Sequence, residues 1–413
     1  MHFKNLNLSD WQQFKNIDIE FHEKVTILTG ANGSGKTTIL GLLARHFGWN
    51  QTLLATPYKS KENGIIKFFA RFWNGEPMQN DKLIGKLTYD NGQIAKLTIP
   101  DSNSAQYNLN IDQQQSVECF YIPSHRAIYR YQPVQNIPIT KKNKDNAFQE
   151  VSESIKQRYF SDHSTSSSFY MKNTLIGWAI QGYGVRSDTK TIMPSDDDQL
   201  SCFVGFQDVL RKVLPSSLGF EEIEIRGMEV VFVCNSGKDV FLLETASGGI
   251  STIIDMAWQI FMYWKKERND FTVIVDEIEN HLHPTMQRQI LTDFSNAFPN
   301  VRFIVSTHSP LIVSSVKDSY VYVLSYDNNK IVSQKLDFKN QPKTASEILD
   351  EVLGVSFTMP IWVENELKIL TDKFYKTNMT QEDFKQLRNE LVRLGLERLM
   401  PAAIRNIVNR GEE

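Results

Sequence analysis

The run Gly30-Ala31-Asn32-Gly33-Ser34-Gly35-Lys36-Thr37-Thr38 has the spacing GxxxxGK[ST]. Before it, Val25-Thr26-Ile27-Leu28 predicts a short buried strand; after it, Thr37 to Phe47 carries apolar residues at helical spacing. In that context the chemistry is phosphate binding. Glycines let the backbone wrap an anion, and the loop N–H groups and helix N-terminus attract it. Lys36 then reaches the β- and γ-phosphates, and the Thr37 hydroxyl ligates Mg²⁺. Far downstream, Phe271-Thr272-Val273-Ile274-Val275 predicts an apolar strand ending in Asp276 and Glu277. The C-terminal ends of parallel strands face such a loop, so Asp276 is placed to hold the Mg²⁺ water shell and Glu277 to polarise an attacking water. The next strand, Val301 to Ser306, runs into Thr307-His308-Ser309-Pro310, which brings His308 toward a γ-phosphate. Ser247-Gly248-Gly249 opens an amphipathic helix and forms a second anion-attracting helix terminus. One chain needs one γ-phosphate site, so the second is expected to serve a partner's nucleotide.

Together these residues resemble an ABC-type ATPase of the branch that includes RecF, the structural-maintenance-of-chromosomes (SMC) proteins and the overcoming-lysogenisation-defect (OLD) nucleases. The resemblance is close over residues 1 to 40 and 240 to 325 and holds only in outline between them. It makes Gly30 to Thr38, with Asn32, Gly33, Ser34, Gly35, Lys36, Thr37 and Thr38 at the nucleotide, the Walker A loop. Ser247, Gly248 and Gly249 become the signature acting in trans, Asp276 and Glu277 the Walker B pair, and His308 the switch histidine. The run Asp276-Glu277-Ile278-Glu279-Asn280-His281-Leu282-His283-Pro284 is similar to the DEPExxLHP stretch of stand-alone, non-transporter members. The signature departs from LSGGQ at Ala246 and Ile250, and Ser124 stands at the Q-loop position where the family has glutamine. Lys15 is similar to a basic residue that approaches the nucleotide in this branch. The resemblance implies ATP and Mg²⁺ as ligands and two chains sandwiching two nucleotides, each Walker A loop facing the other chain's signature.

Between the phosphate loop and the signature, Arg126, Arg130, Lys141, Lys142 and Lys144 interleave with Tyr121, Tyr129 and Tyr131. Basic and aromatic residues together suit phosphate and base contacts, so DNA or RNA is a candidate partner. His281 and His283 have no third histidine or cysteine near them, and their expected role is structural. The tail has no acidic cluster of a nuclease. In that the chain is similar to ATPase subunits of two-gene bacterial defence systems, which implies an effector, a nuclease or toxin, encoded nearby. A RecF-like DNA-repair ATPase and a slow-turnover ATP sensor are the alternatives.

The elements that must position these groups follow from the pattern. Strand and helix alternate from about 250 to 306, the mark of a parallel α/β sheet. LIGKLTYDNGQIAKLTI reads as a hairpin turned at Asn91-Gly92. The expected fold is therefore α/β: an ABC-type P-loop ATPase with a mixed sheet, an antiparallel β-subdomain, a helical insertion forming a lid, and a C-terminal helical segment. Its expected parts are 1–123, 124–219, 220–340 and 341–413. The tail reads as helices around 362–376, 381–394 and 398–408, with Thr344-Ala345-Ser346-Glu347 as a cap before the first apolar group. Leu367, Ile369, Leu370 and Phe374 form an apolar stripe there. The chain has 413 residues and a net charge of −3, which removes any chain-wide argument for nucleic-acid binding. Three cysteines without CxxC spacing argue against a disulfide framework, and no apolar run is long enough to span a membrane, so a cytoplasmic location is expected.

Overall fold

The computed structural model describes residues 1–59, 66–69, 72–73, 76–77, 82–100, 104–126, 128–136, 140–160, 166–337, 347–348, 361–374 and 380–409. The expected cap at Thr344 to Ser346 lies outside these residues. The chain divides into two compact units, Met1–Ile348 and Leu349–Glu413.

The first unit is built on an eleven-stranded mixed sheet. Its N-terminal strands are β1 (Phe3–Trp11), β2 (Phe14–Glu20) and β3 (Val25–Gly30), the last running directly into the phosphate loop and helix α1 (Lys36–Ala44). Next come the hairpin β4 (Lys82–Tyr89) and β5 (Ile94–Ile99), the short β6 (Asn110–Asp112) and β7 (Cys119–Ile122). Three helices follow: α2 (Lys144–Phe160), α3 (Ser167–Tyr183) and α4 (Asp197–Val213). A separate three-stranded antiparallel sheet, β8 (Phe220–Arg226), β9 (Glu229–Cys234) and β10 (Asp239–Leu242), precedes α5 (Gly248–Tyr263). The chain then re-enters the main sheet with β11 (Thr272–Val275), passes α6 (Pro284–Gln287) and α7 (Ile290–Ala297), and continues through β12 (Arg302–Thr307), α8 (Pro310–Val313), β13 (Tyr320–Asp327) and β14 (Lys330–Leu336).

The order across the sheet is β6-β5-β4-β1-β2-β14-β13-β3-β12-β11-β7. Neighbours from β13 through β3, β12 and β11 to β7 are parallel, whereas β6-β5-β4-β1-β2 is antiparallel throughout. The two halves read differently in sequence for that reason. In β3 every residue is buried, as a parallel strand covered on both faces requires, whereas β2 alternates buried and exposed. α5 is buried on all sides except at its first residue, so it is a core helix with only its N-terminus at the surface. The α2–α4 group forms the expected helical insertion; Asp196 starts α4 by accepting the backbone N–H groups of Asp198 and Gln199.

The second unit holds α9 (Ile361–Phe374), α10 (Gln381–Arg393) and α11 (Met400–Asn409). Leu367, Leu370 and Phe374 pack with Leu387, Leu391, Ala403 and Ile407 into a core of its own. Ile369, expected on the same stripe, is 62% exposed instead, because it lies a residue off the face that Leu367 and Leu370 share. Among the described residues no helix is long and apolar enough to cross a membrane.

Candidate functional site

β3 and β11 end at the same edge of the sheet, flanking β12, and this brings together groups that are far apart in sequence. The phosphate loop is closed on itself. Lys36 Nζ donates to the carbonyls of Gly30 at 2.9 Å and Ala31 at 3.0 Å, and Ser34 is fully buried. Burial of the Lys36 ammonium pushes its pKa down to about 8, against the opposing pull of Asp276, Glu277 and Glu279. Asn32 and Gly33 are exposed, Thr38 is half-buried, and Tyr326 on β13 steadies the loop by donating its hydroxyl to the Gly33 carbonyl. Gly35 (φ +84°) lies so close over Phe14 that a Cβ would fall 2.4 Å from the ring. This is why the loop turns on glycine at that position.

Thr37 Oγ1 donates to Asp276 Oδ1 at 3.2 Å, joining the loop to the end of β11. Asp276 is buried and also accepts from Ser306 Oγ on β12. A hydroxyl and a carboxylate at this separation fit Mg²⁺, which characteristically takes one or two protein oxygens and completes its shell with phosphate and water. Glu277 leaves the strand direction with φ +47°. Its N–H donates to Ser306 Oγ at 2.8 Å, and its Oε2 accepts from Asn280 Nδ2 at 2.8 Å. Asn280 Nδ2 also donates to the Ser124 carbonyl at 3.0 Å. The Ser124 hydroxyl, meanwhile, pairs with His125, so it is the backbone of this residue that meets the turn after Glu277. His308, at the end of β12, donates its backbone N–H to Glu279. Burial, reinforced by the nearby Lys36 ammonium and opposed by Glu279, Glu277 and Asp276, holds its imidazole below the usual histidine range.

Ser247-Gly248-Gly249, expected to open an amphipathic helix, opens α5, whose faces are all buried. Ser247 is the N-cap residue and, with Gly248, is exposed. Gly249 is buried, and a Cβ there would fall 3.0 Å from the His281 carbonyl, so this glycine permits the helix to pack on the turn after Glu277. Ile250 in place of a polar residue is a core side chain.

Several expected contacts are corrected. Arg126 is not a surface residue for nucleic acid: it is buried, and its guanidinium donates to the carbonyls of Pro123, Asp276 and Glu277. Lys141 is ion-paired with Asp196 and Lys142 with Glu150. Lys144 lies 3.5 Å from the centre of the Phe261 ring, where burial brings its pKa to about 8. Tyr121 and Tyr129 are buried and cannot stack on bases, whereas Tyr131 is 60% exposed with its hydroxyl donating to Glu229. Arg130 does remain exposed. Lys15 is engaged by Asp327 at 3.0 Å in an exposed pair. Among the residues that hold the site, Ser306 and Asn280 were missed. A serine ending an apolar strand gives no signal of its own, and Asn280 was visible only as part of the acidic run.

Two family profiles match the chain. One, described as an AAA domain, covers residues 5–176 and contains the phosphate loop; the other, described as an AAA domain, putative AbiEii toxin, Type IV TA system, covers 266–314 and contains Asp276, Glu277 and His308. The two matched segments are thus the ones that the fold joins at one sheet edge. Over these two segments the chain is similar to AAA-domain ATPases. A Septu protein PtuA from Bacillus mycoides is 31% identical over 162 residues, 36% of this chain and 22% of that protein. A retron Vc95 probable ATPase from Vibrio cholerae is 22% identical over 78% of this chain and 73% of its own length. The chain therefore spans about a fifth of the first relative and about three quarters of the second. An SMC head domain from Thermotoga maritima superposes with a TM-score of 0.45 at 13% identity, over 82% of this chain and all of that one.

Proposed function

We propose that this ATPase domain binds and hydrolyses MgATP between two head-to-tail chains and thereby controls a separately encoded effector, a nuclease or toxin, in bacterial antiphage defence. The observation that carries the hydrolytic part is the meeting of Thr37, Asp276 and Glu277 at the end of the phosphate loop. In this reading Lys36 leaves the Gly30 and Ala31 carbonyls to bind phosphate, while Thr37 and Asp276 hold Mg²⁺. Glu277 orients the attacking water, and His308 offers a hydrogen bond to the γ-phosphate. Head-to-tail pairing is supported by the exposed N-terminus of α5, whose Ser247 and Gly248 offer backbone N–H groups to a partner's phosphate. The defence role is supported by the relatives, a Septu protein and a retron ATPase.

A slow-turnover sensor is the second reading. It is favoured by serine at the Q-loop position. RecF-like binding along a strand is less favoured, since Lys141, Lys142 and Lys144 already have partners. Lys36→Ala and Glu277→Gln separate the cases. Lys36→Ala removes charge-assisted contacts worth about 1.5–3 kcal/mol each, so ATP affinity should fall at least about tenfold. Glu277→Gln should keep ATP affinity and lose turnover, and light scattering should find more ATP-dependent dimer. Unchanged affinity in the first variant would remove the loop assignment. A wild-type chain that binds ATP without measurable turnover would select the sensor.

A further inference from the structure

Behind the Asp276–Glu277 turn lies a cavity of about 680 Å³ that the hydrolytic reading does not use. Arg126, Arg130, Arg158 and His125 line it, and none of its described lining residues is acidic. Arg126 is only 7% exposed; its Nη atoms are taken by carbonyls, but its Nε–H is buried without a partner. Among the described residues, neither Arg130 nor Arg158 has a hydrogen-bonded carboxylate; burial disfavours the charge on Arg158, Asp255 opposes this and Arg130 adds to it. Asp255 offsets part of this charge; it is itself buried and bonded to Ser167 and Gln259. Arg126 is further opposed by Asp276 and Glu279, so it is Arg130 and Arg158 that leave an excess of positive charge on the cavity wall, which an anion would relieve. The remaining walls include Ile128, Ile155 and Tyr159, an apolar and aromatic surface.

We propose that this cavity is a second nucleotide site, separate from the phosphate loop. A mononucleotide phosphate sits between Arg130 and Arg158, and the base and sugar lie against Tyr159, Ile128 and Ile155. The volume falls within the roughly 300–1,000 Å³ typical of small-ligand pockets. A single nucleotide fits better than a strand, because the lysines that would continue a phosphate track, Lys141, Lys142 and Lys144, are already paired with Asp196, Glu150 and Phe261. Arg126 connects the cavity to hydrolysis, since the same guanidinium holds the Asp276 and Glu277 carbonyls.

The test measures equilibrium binding of labelled ATP, ADP and AMP to the full chain carrying Lys36→Ala, which weakens binding at the phosphate loop. Saturable binding of at least one of them at one per chain is expected, weakened at least about tenfold when Arg130→Ala and Arg158→Ala are added. Arg130→Ala alone, at an exposed position, should move affinity in the same direction and guards against a folding defect in the double variant. If Lys36→Ala does not fold, the wild-type stoichiometry, two nucleotides per chain rather than one, gives the same answer. Absence of binding in a folded Lys36→Ala chain, or binding that the arginine substitutions leave unchanged, overturns the proposal. So does a 5′-phosphorylated oligonucleotide that binds through these arginines while free nucleotides do not, which would make the cavity a strand-end site. None of these failures bears on hydrolysis at the phosphate loop, which Lys36→Ala and Glu277→Gln test independently.

Discussion

Glu277 occupies a left-handed backbone conformation that costs a non-glycine residue about 1–3 kcal/mol. Ser306 stabilises it by accepting the Glu277 N–H, Arg126 by donating to its carbonyl, and Asn280 by gripping its carboxylate. The purpose of so much restraint is aim. A strand continuing past Val275 would alternate its side chains between the two sheet faces, whereas the turn keeps both Asp276 and Glu277 at the strand end. Asn280 is the group here whose loss should affect chemistry more than folding. Asn280→Ala frees the carboxylate and the Ser124 carbonyl together, so kcat should fall about tenfold, equivalent to about 1.4 kcal/mol of lost positioning, with KM for ATP nearly unchanged. Steady-state kinetics check this, and a change confined to KM would place Asn280 at nucleotide binding instead.

At the scale of elements, β3 with its loop and β11 with its acidic end were legible because each is a local pattern: an apolar run, then groups at fixed spacing. The hairpin of β13 and β14 was not among the expected elements, although Asn328 and Asn329 turn it with φ of +48° and +63°. The signal was an asparagine pair between two alternating runs, and without that hairpin nothing placed Tyr326 on the phosphate loop. The lysines near 141–144 misled for a different reason. Their partners Asp196 and Phe261 are brought near only by tertiary packing, so their charges looked free in the sequence. Element packing also carries a pH dependence. His46, at the end of α1, is enclosed between the Leu43 carbonyl and the Tyr89 hydroxyl, and burial lowers its pKa to about 4. The unfolded chain binds this proton near pH 6.5 while the folded chain does not, so stability is full above that pH and declines as pH falls toward 4. The loss approaches roughly 3 kcal/mol for this group alone. Thermal melts between pH 7.5 and 4.5 should show a decline that is shallower in His46→Gln; equal slopes would mean that other groups carry it.

At the scale of the whole molecule, the first unit supplies a phosphate loop and an acidic strand end, while Ser247 and Gly248 at the start of α5 are exposed. Two chains arranged so that each α5 N-terminus meets the other's phosphate loop would bury both surfaces and make two composite sites. That geometry has a genetic consequence independent of any structure of the dimer. A Lys36→Ala chain has a defective loop but an intact Ser247-Gly248-Gly249. A Ser247→Arg chain has the reverse, because the arginine would project from the helix start into the space a partner's phosphate occupies. Each homodimer then contains two defective sites. The mixed dimer contains one site with both halves damaged and one with both halves intact. Mixing the two inactive chains should therefore restore ATP turnover, up to about a quarter of the wild-type rate if subunits exchange at random and sites act alone, since half the dimers are mixed and each has one working site. Mass spectrometry of differently tagged chains establishes exchange, and turnover is measured in the same sample. No recovery in an exchanged mixture would mean either that each chain completes its own site or that the two sites fire only together. Turnover of the wild-type chain across a dilution series separates these, because a chain that completes its own site should keep its turnover as a monomer.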